Sequence, residues 1–413
     1  MSEQRKIVGP FHQLVTFRGL SLRGPLRNEQ LEIISNAGMI IQGGHIQEVG
    51  DYEKLVKEVD QVIELEGPCV GLPGWIDSHT HICFAGSRHL DYSARNSGDS
   101  YLEIAERGGG IWDTVQKTRI ADFEHLYKLT RDRLDIQLKC GVTTVECKSG
   151  YGLNHEQELK QLRIIKRLGE ERSGDIIATC LAAHMTPRDF EGKPEDYLDS
   201  ILTELLPVIS KEGLAQRVDI FTEKSAFSVE QSRAYLTEAA KLGFQLTVHG
   251  DQFSPGGGLL AVETNASSVD HLENTTSETI RALGSSNTVA TVLPGASLGL
   301  GMKFAPSRQL LDAGAIVNIA SDWNPGSAPM GDLLTQAAIM GASEKLTDAE
   351  VLAGITFRAA AALRLNDRGR LIQGSVADFN VFNVDDYREI LYHQGQLKPQ
   401  TVWKKGQIFG KDG

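Results

Sequence analysis

A closed (β/α)8 TIM-like barrel, carrying a small β-sandwich built from both chain ends, is the α/β fold that the sequence predicts. Three observations predict it. Eight short apolar segments of strand character recur through the middle of the chain, with amphipathic helices between several of them. No GxGxxG turn follows an early strand, so the open, doubly wound alternative lacks its phosphate-binding turn. The two ends carry alternating runs that are too few to build a core alone.

The eight strands are expected near 75–80, 142–147, 177–183, 218–223, 245–249, 267–271, 288–293 and 316–320. Strands alternating with helices imply a parallel sheet, and eight such units imply a closed barrel. Between them, residues 123–139 carry Leu126, Leu129, Leu134 and Leu138, roughly on one helical face. Residues 155–169 carry Leu159, Leu162, Ile165 and Leu168 at three-residue spacing. Gly169 and Gly243 stand where helix stops belong. Gly108-Gly109-Gly110 precedes no evident phosphate-binding helix and reads as a mobile loop. At the ends, Met39-Ile40-Ile41 and His45-Ile46-Gln47-Glu48-Val49 are broken by Gly43-Gly44 and Gly50-Asp51, which is hairpin chemistry. Val376 to Phe382 and Thr401 to Gly406 are similar. Residues 1–70 and 369–413 are therefore expected to pair into one composite β-sandwich, with the barrel inserted at 71–368.

The chain has 413 residues, and 41% are apolar, which is enough for a large core. Its 42 basic and 54 acidic residues leave a net charge of −12, which argues against a nucleic-acid or anionic-membrane partner. A small anionic substrate is not excluded, because one local arginine can outweigh the global sign. Cys69, Cys83, Cys140, Cys147 and Cys180 are odd in number and form no CxxC pair, so they read as buried free thiols in a reducing cytosol. The first residues lack the apolar stretch of a signal peptide, and no apolar run approaches a membrane span. The expectation is a soluble, cytoplasmic protein. A homodimer is compatible with the sequence, which does not set the oligomeric state.

Barrel active sites lie at the C-terminal ends of the strands. His79 and His81 end the first strand two residues apart, and alternate strand residues share a face. His249 ends the fifth strand, His271 the sixth, and Asp322 follows the eighth. Five metal- or proton-competent groups thus gather at one end of four strands, in a chain with only 11 histidines. Singly, each has an ordinary reading: a hydrogen-bonded core histidine, or a helix N-cap for Asp322. Together, three histidines and a carboxylate suit one divalent ion, zinc or iron.

These residues resemble the amidohydrolase superfamily, with HxH on strand one, His on strands five and six, and Asp on strand eight. More closely, the chain is similar to the imidazolonepropionase family of histidine degradation. The matching stretches are Leu72-Pro73-Gly74 through His81, Phe84-Ala85-Gly86-Ser87-Arg88, Gly108-Gly109-Gly110-Ile111, and Gly141 through Leu153 with its Lys148-Ser149-Gly150-Tyr151-Gly152-Leu153 core. His184, His249-Gly250-Asp251-Gln252, Asp270-His271-Leu272, Leu293-Pro294-Gly295 and Ser321 through Ser327 complete the match, which spans essentially the whole chain.

The resemblance implies hydrolysis of the cyclic amide of 4-imidazolone-5-propanoate to N-formimidoyl-L-glutamate by a metal-activated water. It makes His79, His81, His249 and Asp322 the metal ligands. Asp322, His271 and Gln252 become catalytic. Arg88, Tyr151, His184 and Gln252 would contact the small anionic heterocyclic substrate, and Asn324, Gly326 and Ser327 the opened product. Asp322 would move the proton, His271 would polarise the carbonyl, and Arg88 offers a fork of donors to the propionate. Gln252 stands where some members carry Glu and can only hydrogen-bond. An aminohydrolase acting on a nucleobase-like ring is the alternative reading, and it would want Glu at that position. A catalytically dead scaffold would be expected to lose metal ligands, and all four are present. Binuclear relatives use a carboxylated lysine; Lys148 falls too early in the strand order for that role, so one metal is expected.

Overall fold

A computed structural model describes residues 4–99, 103–104, 107–171 and 175–410. All eight expected barrel strands form, at Trp75–Asp77, Val142–Lys148, Asp175–Ala183, Arg217–Thr222, Gln245–Gly250, Ser268–His271, Val289–Val292 and Ile316–Ile319. Each pairs in parallel with the next. Helices cover their outer face, so the strands are buried on both sides and read as apolar runs rather than alternating ones. The ring closes just past the strand ends. Thr80 bridges Trp323 in parallel, the His81 N–H donates to Trp323 O (2.9 Å), and the Asp322 N–H donates to His79 O (3.0 Å).

The helices follow their sequence cues, with two exceptions. Asp122 accepts from the His125 N–H and caps Phe123–Lys139, which buries Leu126, Tyr127, Thr130, Leu134 and Gln137. Gly243 follows the helix Val229–Lys241 at φ +89, the left-handed turn expected of a stop. Gly169 does not stop its helix, which runs His155–Glu171 with Leu162, Ile164, Ile165 and Leu168 against the core. That packing outweighs the cost of a glycine in a helix interior, about 1 kcal/mol. The second exception is the glycine triplet. Gly110, at φ +80, leads directly into the ten-residue helix Ile111–Ile120, which the sequence did not suggest.

The chain ends build a second, separate sheet. Lys6–Val15, Ile33–Gln42, His45–Asp51, Gln61–Glu64 and Val70–Pro73 come from the N-terminal segment. Phe379–Phe382, Thr401–Lys404 and Gln407–Ile408 come from the C-terminal one. The two sets join where Val70–Pro73 runs antiparallel to Phe379–Phe382. Gly43 and Gly44, at φ +60 and +74, make the two-residue turn that pairs Gln42 with His45. The Ile46 N–H donates to Ser375 O, and the Gly374 N–H to Ile46 O, tying the far edge back to the C-terminal segment. The sheet therefore curls over a core of its own, including Phe11, Met39, Ile46, Phe379 and Trp403. Among the described residues no helix is long and apolar enough to cross a membrane.

Candidate metal centre and active site

The first barrel strand ends at Asp77, so His79 and His81 lie in the extended segment just beyond it. Thr80, between them, is fixed from both sides. Its N–H donates to the Glu146 carboxylate (3.1 Å), its Oγ1 to Glu146 O (2.7 Å), and its carbonyl accepts the Lys148 N–H (3.0 Å). With Thr80 pinned to the second strand, both imidazoles point into the barrel mouth. His79 Nε2 and His249 Nε2 each lie 3.2 Å from His81 Nε2, and Asp322 Oδ1 lies 3.5 Å from His79 Nε2 and 3.4 Å from His81 Nε2.

This donor set fits a metal ion on three counts. Burial drives the pKa values of His79 and His81 well below the ordinary histidine value, and that of His249 to about 4 against the pull of Asp219. The three rings are therefore neutral at pH 7, the form that ligates. Two bare nitrogens 3.2 Å apart repel unless a proton or cation lies between them. A tetrahedron with arms of about 2.0–2.1 Å has edges of roughly 3.3–3.4 Å, close to the spacings found. His271 stands near enough for its nitrogen to group with those of His79 and His249.

Two of the three outward nitrogens face carboxylates. His79 Nδ1 meets Asp270 Oδ2 at 2.7 Å, and His249 Nδ1 meets Asp219 Oδ2 at 2.9 Å. A protonated Nδ1 leaves Nε2 bare and facing the centre. Beneath them Lys148 Nζ lies 2.8 Å from Glu146 Oε1, 2.9 Å from Asp219 Oδ2 and 4.0 Å from Asp270 Oδ2. Burial opposes its charge, yet these carboxylates hold its pKa above the ordinary lysine value. Lys148 is thus a buried ammonium, not a free amine open to carboxylation. The sequence reading assigned Asp219, Asp270 and Glu146 no role. Each is a carboxylate inside a strand whose every residue is buried, and a charge within a predicted barrel strand is the cue that could have found them.

Above the donors opens a cavity of about 940 Å³. Arg88, Tyr151, His184, Gln252, His271 and Asp322 all line it. Arg88, buried, ends the loop after the HxH segment and donates from Nε to Asp91 Oδ2 (2.8 Å). Its Nη1 packs against Gly326, where a Cβ would come within 2.2 Å of it. His184 donates from Nδ1 to Gly150 O (2.9 Å), and burial lowers its pKa to about 4, so its Nε2 is an acceptor. Tyr151 packs against the His184 ring (5.6 Å between centroids) and the His81 ring (6.0 Å). Burial works against charge on His271, but Glu273, 3.6 Å from its Nδ1, leads the groups that raise its pKa. Burial raises Asp322 to about 6.

Gln252 is placed by its loop rather than by its own side chain. Glu223 accepts the Phe253 and Ser254 N–H groups (2.8 and 3.1 Å), and Asn274 donates to Gln252 O. Asn324, expected to contact the opened product, lines the cavity, and its carboxamide is engaged by its own loop. It donates to Asp322 O and Ser327 Oγ and accepts the Gly326 and Ser327 N–H groups. A carboxamide has four such positions, and its own loop fills all four. Asn324 shapes the turn that carries Gly326 and Ser327 to the cavity wall. Left-handed backbone at non-glycine residues clusters here, at Leu153, Asp251, His271, Leu272 and Asp322. Such strain gathers at functional sites.

The amidohydrolase family model matches residues 207–409. The imidazolonepropionase of Bacillus cytotoxicus is 40% identical, covering 93% of this chain and 92% of its own length. That of Deinococcus radiodurans is 43% identical, covering 95% and 97%. Among solved structures, the atrazine chlorohydrolase of Arthrobacter aurescens TC1 complexed with zinc superposes with a TM-score of 0.72 over 98% of this chain and 94% of that one, at 17% identity. Fold, donor cluster and full-length identity agree, and the chain belongs to the imidazolonepropionase family of amidohydrolases.

Proposed function

We propose that the chain hydrolyses the ring amide of 4-imidazolone-5-propanoate to N-formimidoyl-L-glutamate. The observation that carries this reading is the buried Arg88 guanidinium in the same cavity as His81, His249 and Asp322, which converge with His79 just behind the cavity wall. An acidic chain has thereby a local cation for an anionic substrate.

His79, His81, His249 and Asp322 would hold one divalent ion, with zinc or iron both compatible with nitrogen and carboxylate donors. Such an ion supplies water activation, lowering the pKa of water from about 15.7 towards about 7. The residues do the rest. Arg88 grips the propionate and fixes the ring over the donor cluster. His184 and Tyr151 flank the ring, and the His184 Nε2 accepts a ring N–H. His271, favoured in its protonated form by Glu273, donates to the carbonyl oxygen as negative charge develops there. Asp322 takes a proton from the attacking water and delivers it to the departing ring nitrogen. The carbon–nitrogen bond breaks, the water oxygen stays on the acyl carbon, and Gly326 and Ser327 face the carboxylate that forms.

Gln252 would orient substrate without exchanging protons, which favours ring opening over deamination. Five free cysteines, four of them buried, are in keeping with a reducing compartment such as the cytoplasm. We also place the unit boundaries at 1–70 with 369–413, and at 71–368. The test is product identification. Mass spectrometry after incubation with 4-imidazolone-5-propanoate should show the substrate plus one water and no ammonia release. Release of ammonia from cytosine or guanine instead would establish the deaminase reading.

A further inference from the structure

The Lys148-Ser149-Gly150-Tyr151-Gly152-Leu153 stretch is the most distinctive in the sequence, and its lysine has no part in the chemistry above. Lys148 ends the second barrel strand, about 1% exposed, and its ammonium lies beneath the donor cluster without reaching the cavity. Its partners come from three strands: Glu146 from the second, Asp219 from the fourth, Asp270 from the sixth. Each partner also holds part of the metal-binding set. Asp219 Oδ2 lies 2.9 Å from both Lys148 Nζ and His249 Nδ1. Asp270 Oδ2 takes His79 Nδ1 and, at 3.2 Å, the Thr247 hydroxyl. Glu146 holds the Thr80 N–H between His79 and His81.

We infer that Lys148 is a positioning residue for the metal centre: its ammonium fixes the three carboxylates that orient His79, His81 and His249. Without the cation, three buried carboxylates would face one another across the barrel floor. Like charges at that distance repel in a poorly solvated interior. They would turn aside or take up protons, and the Nδ1 atoms of His79 and His249 would lose their fixed acceptors. The inference rests on those histidines forming the metal site.

A purely electrostatic role predicts the opposite sign, and that makes the inference testable. Lys148 is a positive charge near a cation site, so removing it would tighten metal binding if repulsion were all that mattered. If Lys148 positions the ligands, removing it weakens binding. Loss of such outer partners typically costs roughly 10–100-fold in metal affinity. The experiment strips the protein with chelator and titrates it with zinc against a chromophoric competitor, for wild type, Lys148→Met and Lys148→Arg. Circular dichroism and apo-protein melting check the fold.

The expected result is a zinc Kd raised at least about tenfold in Lys148→Met, with Lys148→Arg recovering part of the loss because it keeps the charge. An unchanged or tighter Kd in a folded Lys148→Met overturns the inference and leaves the metal site standing. Wild-type protein that binds no zinc overturns both. If Lys148→Met does not fold, Lys148→Gln carries the same test, since it removes the charge, keeps a hydrogen-bond donor and leaves every carboxylate in place. Weaker zinc binding then supports the inference, and wild-type binding overturns it.

Discussion

Arg88 is anchored by Asp91 and Gly326 before any substrate arrives, so its fork is already aimed into the cavity. Arg88→Met removes a charged hydrogen-bonding partner worth about 1.5–3 kcal/mol. An interaction equal in ground and transition states raises KM and leaves kcat. We expect KM for 4-imidazolone-5-propanoate to rise roughly 10–100-fold with kcat within a few-fold of wild type, and unchanged KM in steady-state kinetics would remove Arg88 from the substrate site. Asp322→Asn keeps the size and an oxygen for the metal but cannot carry a proton. A helix cap would tolerate it, since Asn caps about as well as Asp. The geometry rules that reading out, because Asp322 leads no helix and its carboxylate lies within 3.5 Å of two histidines. In metal-loaded protein, kcat should fall by at least about 100-fold, and near-normal turnover would contradict the proton-transfer role. The histidines were legible because each ends a predicted strand. Their partners were not: His79 and Asp270 lie 191 residues apart, and only the barrel brings their strands together.

Among elements, the barrel and the terminal sheet meet at a cluster of charges. Asp175 opens the third barrel strand; Lys404 and Lys405 reach it from the C-terminal segment, and Arg368 from the last residue before that segment. Burial opposes its charge, yet Lys404 and Arg368 lead the groups that hold its pKa below the ordinary carboxylate value. A depressed folded pKa gives stability that is complete above the unfolded value and fades as pH falls through the folded one. Asp175→Asn should therefore cost about 1–3 kcal/mol at pH 7. The gap in Tm between variant and wild type should close as pH drops below about 4. A gap that stays constant down to pH 3 would mean that the charge contributes nothing. None of this was legible, since Asp175 and Lys404 belong to different sheets. Strand periodicity was legible throughout. The glycine cues were less reliable: Gly243 ends a helix, but Gly169 sits inside one whose core face holds it in place.

At the scale of the molecule, the barrel carries the donors, and loops braced by buried carboxylates carry Tyr151 and Gln252, which we propose contact the substrate. Glu158 accepts the Gly150, Gly152 and Leu153 N–H groups, as Glu223 does those of Phe253 and Ser254. The pairing of the chain ends was readable from their hairpin chemistry and from the shortage of strands in each. The way the resulting sheet curls back on itself was not, because hydrogen bonds between Ile46 and residues 374–375 set it. The central claim is that this barrel hydrolyses a cyclic amide with a metal held at its mouth. The most direct measurement follows the ultraviolet absorbance of 4-imidazolone-5-propanoate mixed with metal-loaded protein, with chelator-stripped protein, and with stripped protein given back one equivalent of zinc or iron(II). Rapid loss of absorbance with the loaded protein, none above background with the stripped protein, and recovery on adding metal is the predicted result. Equal turnover with and without metal, or no turnover by folded, metal-loaded protein, would contradict it.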